Sequence, residues 1–183
     1  MRDLDIRQQL HVELAQRFVG DIIRGEFGLC LGQTRVDVAV VNCSLHGYEI
    51  KSERDNLARL PAQINLYDRV LDYSTIVCIV RHLDRITDLI PDSWGIIQAT
   101  DHFGRVMLTS IRAAAINRSP DPLAIAQLLW RAEAAQVLTA RGGRVKSKET
   151  RWDLWDRLAA MPLETLQGEV RLMLKARRAW LDV

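Results

Sequence analysis

Apolar residues recur with helical spacing at the start of the chain. They stand four positions apart, at Ile6, Leu10, Leu14 and Phe18. This spacing places them on one face of an α-helix, so the pattern predicts a helix over about residues 3–19. Aspartates at the beginning of that segment suit the first turn of a helix, which supports the same prediction.

The apolar runs that follow are shorter and are separated by turn residues, as is typical of strands. They predict an antiparallel meander of three strands: residues 22–29, 35–41 and 48–52. Pro61 then suits the first turn of a helix that extends to about residue 73. The continuous apolar run at residues 74–80 predicts a strand that is buried on both faces. The chain is therefore expected to cross over and rejoin the same sheet.

The rest of the sequence predicts one more hairpin and then helices. Residues 95–99 and 105–110 have the pattern of paired strands. The proline-containing run 119–122 predicts a boundary between a first domain, residues 1–117, and a helical extension, residues 118–183. Three helices are predicted in the extension: residues 123–140, 152–161 and 163–180. The expected class is α/β, a mixed sheet with an α-β-β-β-α-β core and a C-terminal helical extension.

Composition excludes several classes of protein. The 183 residues are 48% hydrophobic and 26% charged, as in a globular protein with its own core. No apolar run reaches the roughly 18–20 residues that a bilayer crossing needs, so no membrane span is expected. The N-terminus lacks the apolar stretch of a secretory signal, and the three cysteines are far apart. We therefore expect a cytoplasmic protein with reduced cysteines.

Charge is distributed unevenly along the chain. Residues 1–117 carry 13 Lys/Arg against 15 Asp/Glu, a net charge of −2. Residues 118–183 carry 12 against 8, a net charge of +4. An acidic first part beside a basic extension suits a metal-binding site that is joined to a phosphate-binding surface. A basic extension is also compatible with the solvated face of an ordinary helical bundle.

Three charged residues stand where strands are expected to be buried. Asp37 interrupts a run of valines, and an ionised carboxylate there is costly unless it is paired or holds a metal ion. Glu49 and Lys51 are two positions apart on the next strand, so their side chains point to the same face. Pairing of the two strands brings Asp37 towards Glu49. Two carboxylates offer the hard oxygen ligands that Mg²⁺ prefers.

Lys51 completes a grouping that phosphodiester hydrolysis needs: a bound metal ion, an activated water and a cation near the scissile phosphate. Its ammonium group has two candidate tasks. It can orient or help deprotonate the water on the metal, or it can stabilise charge on the phosphate. Gln63 and Tyr67 lie at i and i+4 on one face of the next predicted helix, so they can face the same site.

Together these residues resemble a known pattern. The segments Arg35-Val36-Asp37 and Gly47-Tyr48-Glu49-Ile50-Lys51-Ser52, with Gln63 and Tyr67, are similar to the PD-(D/E)XK superfamily of restriction-endonuclease-like nucleases. The Gln-xxx-Tyr addition is the one known from the nuclease domain of the RecBCD recombination enzyme. The resemblance implies that Asp37 and Glu49 bind Mg²⁺ or Mn²⁺, that Lys51 is catalytic, and that Gln63 and Tyr67 line the site. Val36 replaces the superfamily's proline, which removes no metal ligand.

Other segments are similar to a family of small bacterial proteins of unassigned function within this superfamily. They are Glu26-Phe27-Gly28, Arg59-Leu60-Pro61, and Pro91 through Trp94-Gly95. The superfamily often supplies a further carboxylate from the first helix, where Glu13 is suitably placed. The closer resemblance instead favours Glu26, on the strand before Asp37, as the additional metal ligand. Glu13 stays open as the alternative.

The resemblance implies a Mg²⁺- or Mn²⁺-dependent deoxyribonuclease that acts in repair, recombination or defence against foreign DNA. Five basic residues are predicted to contact the nucleic acid: Arg35, Arg144, Lys146, Lys148 and Arg151. Single-stranded, duplex and branched DNA all remain open as substrates, and so does RNA. A cut in both strands requires two sites, which makes a homodimer one expected assembly. The alternatives are a DNA-binding or adaptor protein that does not cut, and a protein whose basic extension binds another protein.

Overall fold

The computed structural model describes residues 1–177 of the chain. The strands within them are β1 (Ile22–Leu29), β2 (Thr34–Val41), β3 (Leu45–Lys51), β4 (Tyr73–Ile79), β5 (Gly95–His102) and β6 (Arg105–Arg112). The helices are α1 (Asp3–Arg17), α2 (Leu60–Tyr67), α3 (Leu83–Leu89), α4 (Pro122–Ala126), α5 (Arg131–Ala140), α6 (Arg151–Ala159) and α7 (Leu163–Ala176). A short 3₁₀ turn, Cys30–Gly32, separates β1 from β2.

The strands form one six-stranded mixed sheet in which spatial order follows chain order, from β1 to β6. β1, β2 and β3 pair antiparallel, as the predicted meander requires. β4 then joins β3 in parallel and β5 joins β4 in parallel, while β6 closes the sheet as the antiparallel partner of β5. The predicted α/β class with a mixed sheet is therefore confirmed, and so is the crossover from β3 through α2 to β4.

The two faces of the sheet are covered by different helices. On one face, Ile6 and Leu10 of α1 pack against Val38, Val40 and Tyr48. Side chains of α2 and of the C-terminal helices cover the other face. There the buried apolar residues form one continuous cluster that joins the sheet to α4, α5, α6 and α7. The helices begin near the predicted boundary at residue 118, but they share the core of the sheet rather than forming a separate one.

Ion pairs and hydrogen bonds connect the helical extension to the segment between α2 and β4. Asp121, the N-cap of α4, binds Arg69 through an ion pair at 2.7 Å. Asp72 is almost fully buried and accepts hydrogen bonds from Gln167 and Arg171 of α7 at 2.7 and 3.0 Å. These bonds fix the position of the extension relative to β4. Among residues 1–177, no helix has the length and apolar character that a bilayer crossing needs.

Several predicted helix boundaries were wrong. The predicted helix at residues 123–140 is divided into α4 and α5, because the intervening carbonyls of Leu128 and Leu129 accept side-chain bonds from Arg177 and Trp155. The helix predicted to extend to residue 73 ends at Tyr67. Beyond it, the carbonyls of Asp68 and Leu71 accept hydrogen bonds from the side-chain amide of Asn117. The prediction at residues 163–180 agrees with α7 as far as residue 176, and its last three residues lie outside the described part of the chain.

Candidate active site

Asp37 of β2 has no ladder partner on either neighbouring strand. The ladder between β1 and β2 pairs Gly25 with Val38 and then Phe27 with Val36, leaving Glu26 and Asp37 unpaired. Glu26 has a left-handed backbone with φ 51°. The ladder between β2 and β3 also stops at Val38, whereas β1 and β2 resume their pairing in the same register at Phe27 and Val36.

The carboxylate of Asp37 lies where the ladder between β2 and β3 ends. Its Oδ2 accepts a hydrogen bond from the backbone N–H of Ile50 at 2.6 Å, where a ladder bond would otherwise lie. Its Oδ1 accepts one from Arg7 of α1 at 2.7 Å. Burial and the nearby charge of Glu49 raise the pKa of Asp37 to about 7, although the Ile50 N–H and Arg7 oppose this rise. The carboxylates of Asp37 and Glu49 are thus close enough to repel each other.

Glu49 lies at the centre of a buried polar cluster on the α2 side of β3. It is 3% exposed, and Lys51 beside it is 6% exposed. The Lys51 ammonium donates to Glu49 Oε1 at 2.7 Å and to the side-chain oxygen of Gln63 at 3.0 Å. The amide nitrogen of Gln63 donates to the same Oε1 atom. Gln63 therefore holds the carboxylate with one end of its amide and the ammonium with the other.

Tyr67, one turn after Gln63 in α2, is the last member of this polar cluster. Its hydroxyl lies within hydrogen-bond distance of Glu49 Oε2 and of the backbone carbonyl of Arg35. The hydroxyl has one proton for these two acceptors, so it donates to one of them at a time. Burial and Glu49 raise the pKa of Tyr67 far above its usual range, which keeps it a donor. Its ring stacks on the buried Trp94 at 5.9 Å between centroids, which fixes its position.

The sequence pattern places these residues together for identifiable reasons. Glu49 and Lys51 share a face because they are two positions apart on β3. Gln63 and Tyr67 share a face of α2 because they are one turn apart. The crossover from β3 to β4 then lays α2 over the end of β3. Asp37, Glu49, Lys51, Gln63 and Tyr67 are all brought to one place, as the predicted site requires.

The two candidates for a further carboxylate lie apart from Glu49. The side chain of Glu26 is 55% exposed and forms an ion pair with Arg7 at 2.6 Å. Glu13 accepts a hydrogen bond from Gln9 within α1. Within residues 1–177, no three His, Cys, Asp or Glu side chains are grouped as a metal ion would require. The site proper therefore offers two carboxylates, and Glu26 adjoins it only through Arg7.

The donors of this site suit a hard divalent cation. Mg²⁺ often takes only one or two protein carboxylates and completes its shell with waters and substrate phosphates. Asp37 and Glu49 supply such a pair, and burial, together with the charge of Glu49, raises the pKa of Asp37 to about 7. Both residues offer oxygen ligands rather than the sulfur and nitrogen donors that zinc usually prefers. The residues present therefore fit Mg²⁺ or Mn²⁺ with an incomplete protein shell.

Arg7 is a participant that the sequence analysis missed. Its guanidinium donates to Asp37 Oδ1, to the carbonyl of Asp37, to Glu26 and to Asp3, so it connects α1 to β1 and β2 where Glu26 and Asp37 are unpaired. In the sequence, Asp3 and Arg7 look like an ordinary i,i+4 surface pair. The one available signal is that Arg7 follows the buried Ile6 on the covered side of α1.

The predicted nucleic-acid contacts fall in two places. Arg35 is exposed on β2, two residues before Asp37, and its backbone carbonyl accepts from Tyr67. The other four, Arg144, Lys146, Lys148 and Arg151, are exposed between α5 and the first turn of α6. The guanidinium of Arg151 lies 5.3 and 5.2 Å from the ring centroids of Trp152 and Trp155. Arg35 adjoins the site through its backbone carbonyl, whereas the other four form a separate basic loop.

Known sequences resemble this chain over most of its length. The model of a family described as Bacteriophage P4 protein cII matches residues 10–179. Protein cII of Enterobacteria phage P4 is 24% identical over 108 residues, which are 59% of this chain and 41% of that protein. The aligned part thus spans about two fifths of the length of that curated relative.

Among solved structures, the chain is similar to a protein of unknown function from Silicibacter pomeroyi. The superposition covers 80% of this chain and 100% of the other, with 20% sequence identity and a TM-score of 0.45.

Proposed function

The chain belongs to the family of bacteriophage P4 protein cII, and from its site we propose that it is a metal-dependent nuclease that hydrolyses phosphodiester bonds in DNA. The observation that carries the proposal is the meeting of Asp37, Glu49 and Lys51 where β2 and β3 part. A protein keeps a like-charged carboxylate pair and a lysine in its interior at a cost in stability. Such a cost is typical of a site that performs chemistry.

Asp37 and Glu49 would hold Mg²⁺ or Mn²⁺ through their carboxylate oxygens. When bound, the ion supplies a Lewis acid for a phosphate oxygen and lowers the pKa of its water. Asp37 is fixed on one side by the N–H of Ile50, so its other oxygen is directed into the gap between the strands. Arg7 lies on that oxygen and would have to yield some of this contact to an ion.

Lys51 would act on the reacting water or on the phosphate. Its ammonium is held by Glu49 and by Gln63, which leaves one of its three N–H groups for a further acceptor. A positively charged group at this position stabilises the charge that builds on phosphate oxygens. Gln63 and Tyr67 would keep Glu49 in one orientation, since both of its oxygens have donors from α2. They are positioning residues in this account.

DNA is the substrate in this proposal because basic residues adjoin the site and recur on the helical extension. Arg35 is exposed two residues before Asp37, and a basic loop carries Arg144, Lys146, Lys148 and Arg151. Lysine and arginine bind phosphates with little dependence on base sequence. The setting that we propose is a cytoplasmic one, in repair, recombination or defence against foreign DNA. A homodimer would supply the two sites that a double-strand cut requires.

One observation favours a second function, a DNA-binding or adaptor protein that does not cut. Asp37 is paired with Arg7 and Glu49 with Lys51, so each carboxylate already has a cationic partner within the chain. These pairs would stabilise the fold without any metal ion. The two functions differ in one measurable property, which is metal-dependent cleavage.

The test is an incubation of the full chain with labelled single-stranded, duplex and branched DNA, and with single-stranded RNA. Each substrate is tested with Mg²⁺, with Mn²⁺ and with a chelator. We expect metal-dependent cleavage of DNA that falls about 10²–10⁴-fold in Lys51→Ala. The matched control is Arg85→Ala, which removes an exposed cation on α3 and should cut like the unaltered protein.

The outcomes separate the two functions. Binding of DNA without cleavage under any metal condition would support the adaptor. Cleavage that Lys51→Ala retains at full rate would overturn the assignment of the site, provided that the variant melts as cooperatively as the unaltered protein. Cleavage of RNA alone would leave the chemistry intact and change the substrate.

A further inference from the structure

A cleft of about 830 Å³ lies along β1, the edge strand of the sheet, and adjoins the site. Its walls come from β1, from Arg7 of α1, from Arg35 of β2 and from the turn between α4 and α5 that ends at Trp130. Arg7 is hydrogen-bonded to Asp37, and the carbonyl of Arg35 accepts from Tyr67. The cleft is therefore connected to Asp37 through Arg7 and to Tyr67 through the backbone of Arg35.

Four guanidinium groups line this cleft, those of Arg7, Arg24, Arg35 and Arg177, together with the carboxylate of Glu26. Arg177 is ion-paired with Glu133, which lies outside the lining. Arg35 is exposed and has no acidic partner among residues 1–177. Arg7, by contrast, is ion-paired with Asp3, Glu26 and Asp37. The charge of this surface is complementary to a chain of phosphates.

Unusual backbone conformations are concentrated on the same wall. Four non-glycine residues within 1–177 have a positive φ, and three of them, Glu26, Cys30 and Leu31, line the cleft. Left-handed non-glycine residues cost about 1–3 kcal/mol each and cluster at ligand-binding sites. Gly28 also lines the cleft with an ordinary φ, and a Cβ added there would meet nothing within 4 Å. The packing does not require glycine at this position, so the space beside it is open.

The size and the aromatic content of the cleft indicate what fits it. Its volume lies in the range of clefts that enclose small ligands, about 300–1,000 Å³. A duplex presents two backbones across grooves about 6 and 12 Å wide and docks on extended surfaces. Trp130 is 44% exposed at the rim, with the Arg177 guanidinium 4.2 Å from its ring centroid. Arginines around an exposed ring are the features with which proteins hold single strands, by phosphate contact and base stacking.

We propose that this cleft binds a single strand of nucleic acid, with a phosphate on Arg35 and a base against Trp130. The strand would run along β1 past Gly28 and present its next phosphodiester to Asp37 and Glu49. This inference rests on the proposed function, which it deepens by naming the form of the substrate. A duplex would have to be opened, or to end, before its strand entered the cleft.

The test measures binding of a fluorescent 12-nucleotide single strand and of the matching duplex, by anisotropy in the presence of a chelator. Gly28→Leu fills the open space without removing a charge, and Gly28 pairs with Arg35 across the ladder. We expect the single strand to bind at least tenfold more tightly than the duplex, and Gly28→Leu to weaken it at least fivefold. Arg35→Ala should weaken binding and lower the slope of log affinity against log salt by about 0.7. Trp130→Ala should weaken binding about tenfold.

Arg85→Ala is the matched control, because it removes an exposed arginine from α3, outside the cleft, and should bind within twofold of the unaltered protein. Unchanged affinity in Gly28→Leu and Arg35→Ala would overturn the cleft, and so would tighter binding of the duplex. Equal displacement of the strand by a poly-glutamate peptide would also overturn it, since the surface would then be a protein site.

Cleavage assays on the same proteins separate this inference from the proposed function. If the unaltered protein cuts DNA with Mg²⁺ and Gly28→Leu cuts and binds equally well, the cleft is wrong and the nuclease stands. If the variants lose binding of the single strand but no protein cuts with any metal, the cleft stands and the nuclease is wrong.

Discussion

Two buried carboxylates near opposite ends of β3 are accommodated in different ways. Asp72 and Glu49 are each 3% exposed. Asp72 accepts from the N–H of Leu45 at the start of β3, and from Gln167 and Arg171 of α7. Its donors thus come from distant parts of the chain and tie them together. Glu49 takes its donors from Lys51, Gln63 and Tyr67, which are within 18 residues of it.

The decisive difference is the neighbour of each carboxylate. Asp72 has a cation beside it in Arg171. Glu49 has the cation Lys51 but also the second carboxylate Asp37, whose pKa it helps to raise to about 7. The first arrangement stabilises the fold, whereas the second brings two carboxylates together, which under the proposed function would bind a divalent ion. Substitutions at the two places should therefore separate stability from activity.

The largest expected effect is on cleavage by Asp37→Asn. The loss of one ligand charge should lower the cleavage rate about 10²–10⁴-fold, in the range of losses of groups that stabilise the transition state. The free energy of unfolding should change by no more than about 1 kcal/mol, because the lost bond to Arg7 is offset by relief of the repulsion from Glu49. Single-turnover cleavage and urea unfolding on one preparation measure both quantities.

Asp72→Ala should give the opposite result. It leaves the N–H of Leu45 without its acceptor and Arg171 without its carboxylate, which we expect to lower the free energy of unfolding by about 2–4 kcal/mol. The cleavage rate should stay within about threefold at a temperature where the variant is folded. A large loss of activity in a folded Asp72→Ala protein would show that the two regions are not independent.

Divalent ions should stabilise one region and not the other. At a concentration 100-fold above its dissociation constant, an ion that binds only the folded chain adds about 2.7 kcal/mol to stability. We expect Mg²⁺ or Mn²⁺ to raise the melting temperature of the unaltered protein and of Asp72→Asn. Asp37→Asn should lose most of that increase. An equal increase in all three proteins would place the ion elsewhere.

Arg171→Ala should have the smallest effect of the series. Its side chain is 20% exposed, and Asp72 keeps its bonds to Gln167 and the N–H of Leu45 when it is removed. We therefore expect a loss of about 1–2 kcal/mol in the free energy of unfolding, measured by urea titration. A loss larger than that of Asp72→Ala would mean that α7 is held by Arg171 through contacts other than Asp72.

The sequence predicts local periodicity better than it predicts tertiary contacts. Strand alternation gave β1 and β2 almost to the residue, and i,i+2 and i,i+4 spacing predicted which side chains share a face. The same reasoning predicted α4 and α5 as one helix, because no local sequence feature indicates that Trp155 and Arg177 donate to the carbonyls between these two helices. It also missed α3, a seven-residue helix directly after a strand and its turn.

The candidate site divides in the same manner. The sequence predicts two pairs of site residues, Glu49 with Lys51 and Gln63 with Tyr67, because each pair lies within one strand or helix. The role of Arg7 could not be predicted from the sequence, because it depends on how α1 crosses the sheet. The left-handed backbone of Glu26 could not be predicted from the sequence either, since this conformation is imposed by the surroundings and not by the preference of a glutamate. The choice between Glu26 and Glu13 as a further ligand stays a prediction.

The most direct test of the central claim is the dependence of DNA cleavage on divalent ions in three proteins, the unaltered chain, Asp37→Asn and Asp72→Asn. All three are compared at a temperature at which each is folded. The account predicts that the unaltered chain and Asp72→Asn cut with Mg²⁺ or Mn²⁺ and stop in chelator, and that Asp37→Asn does not cut. Cleavage by Asp37→Asn at the rate of the unaltered chain, or no cleavage by any of them under any metal condition, would contradict it.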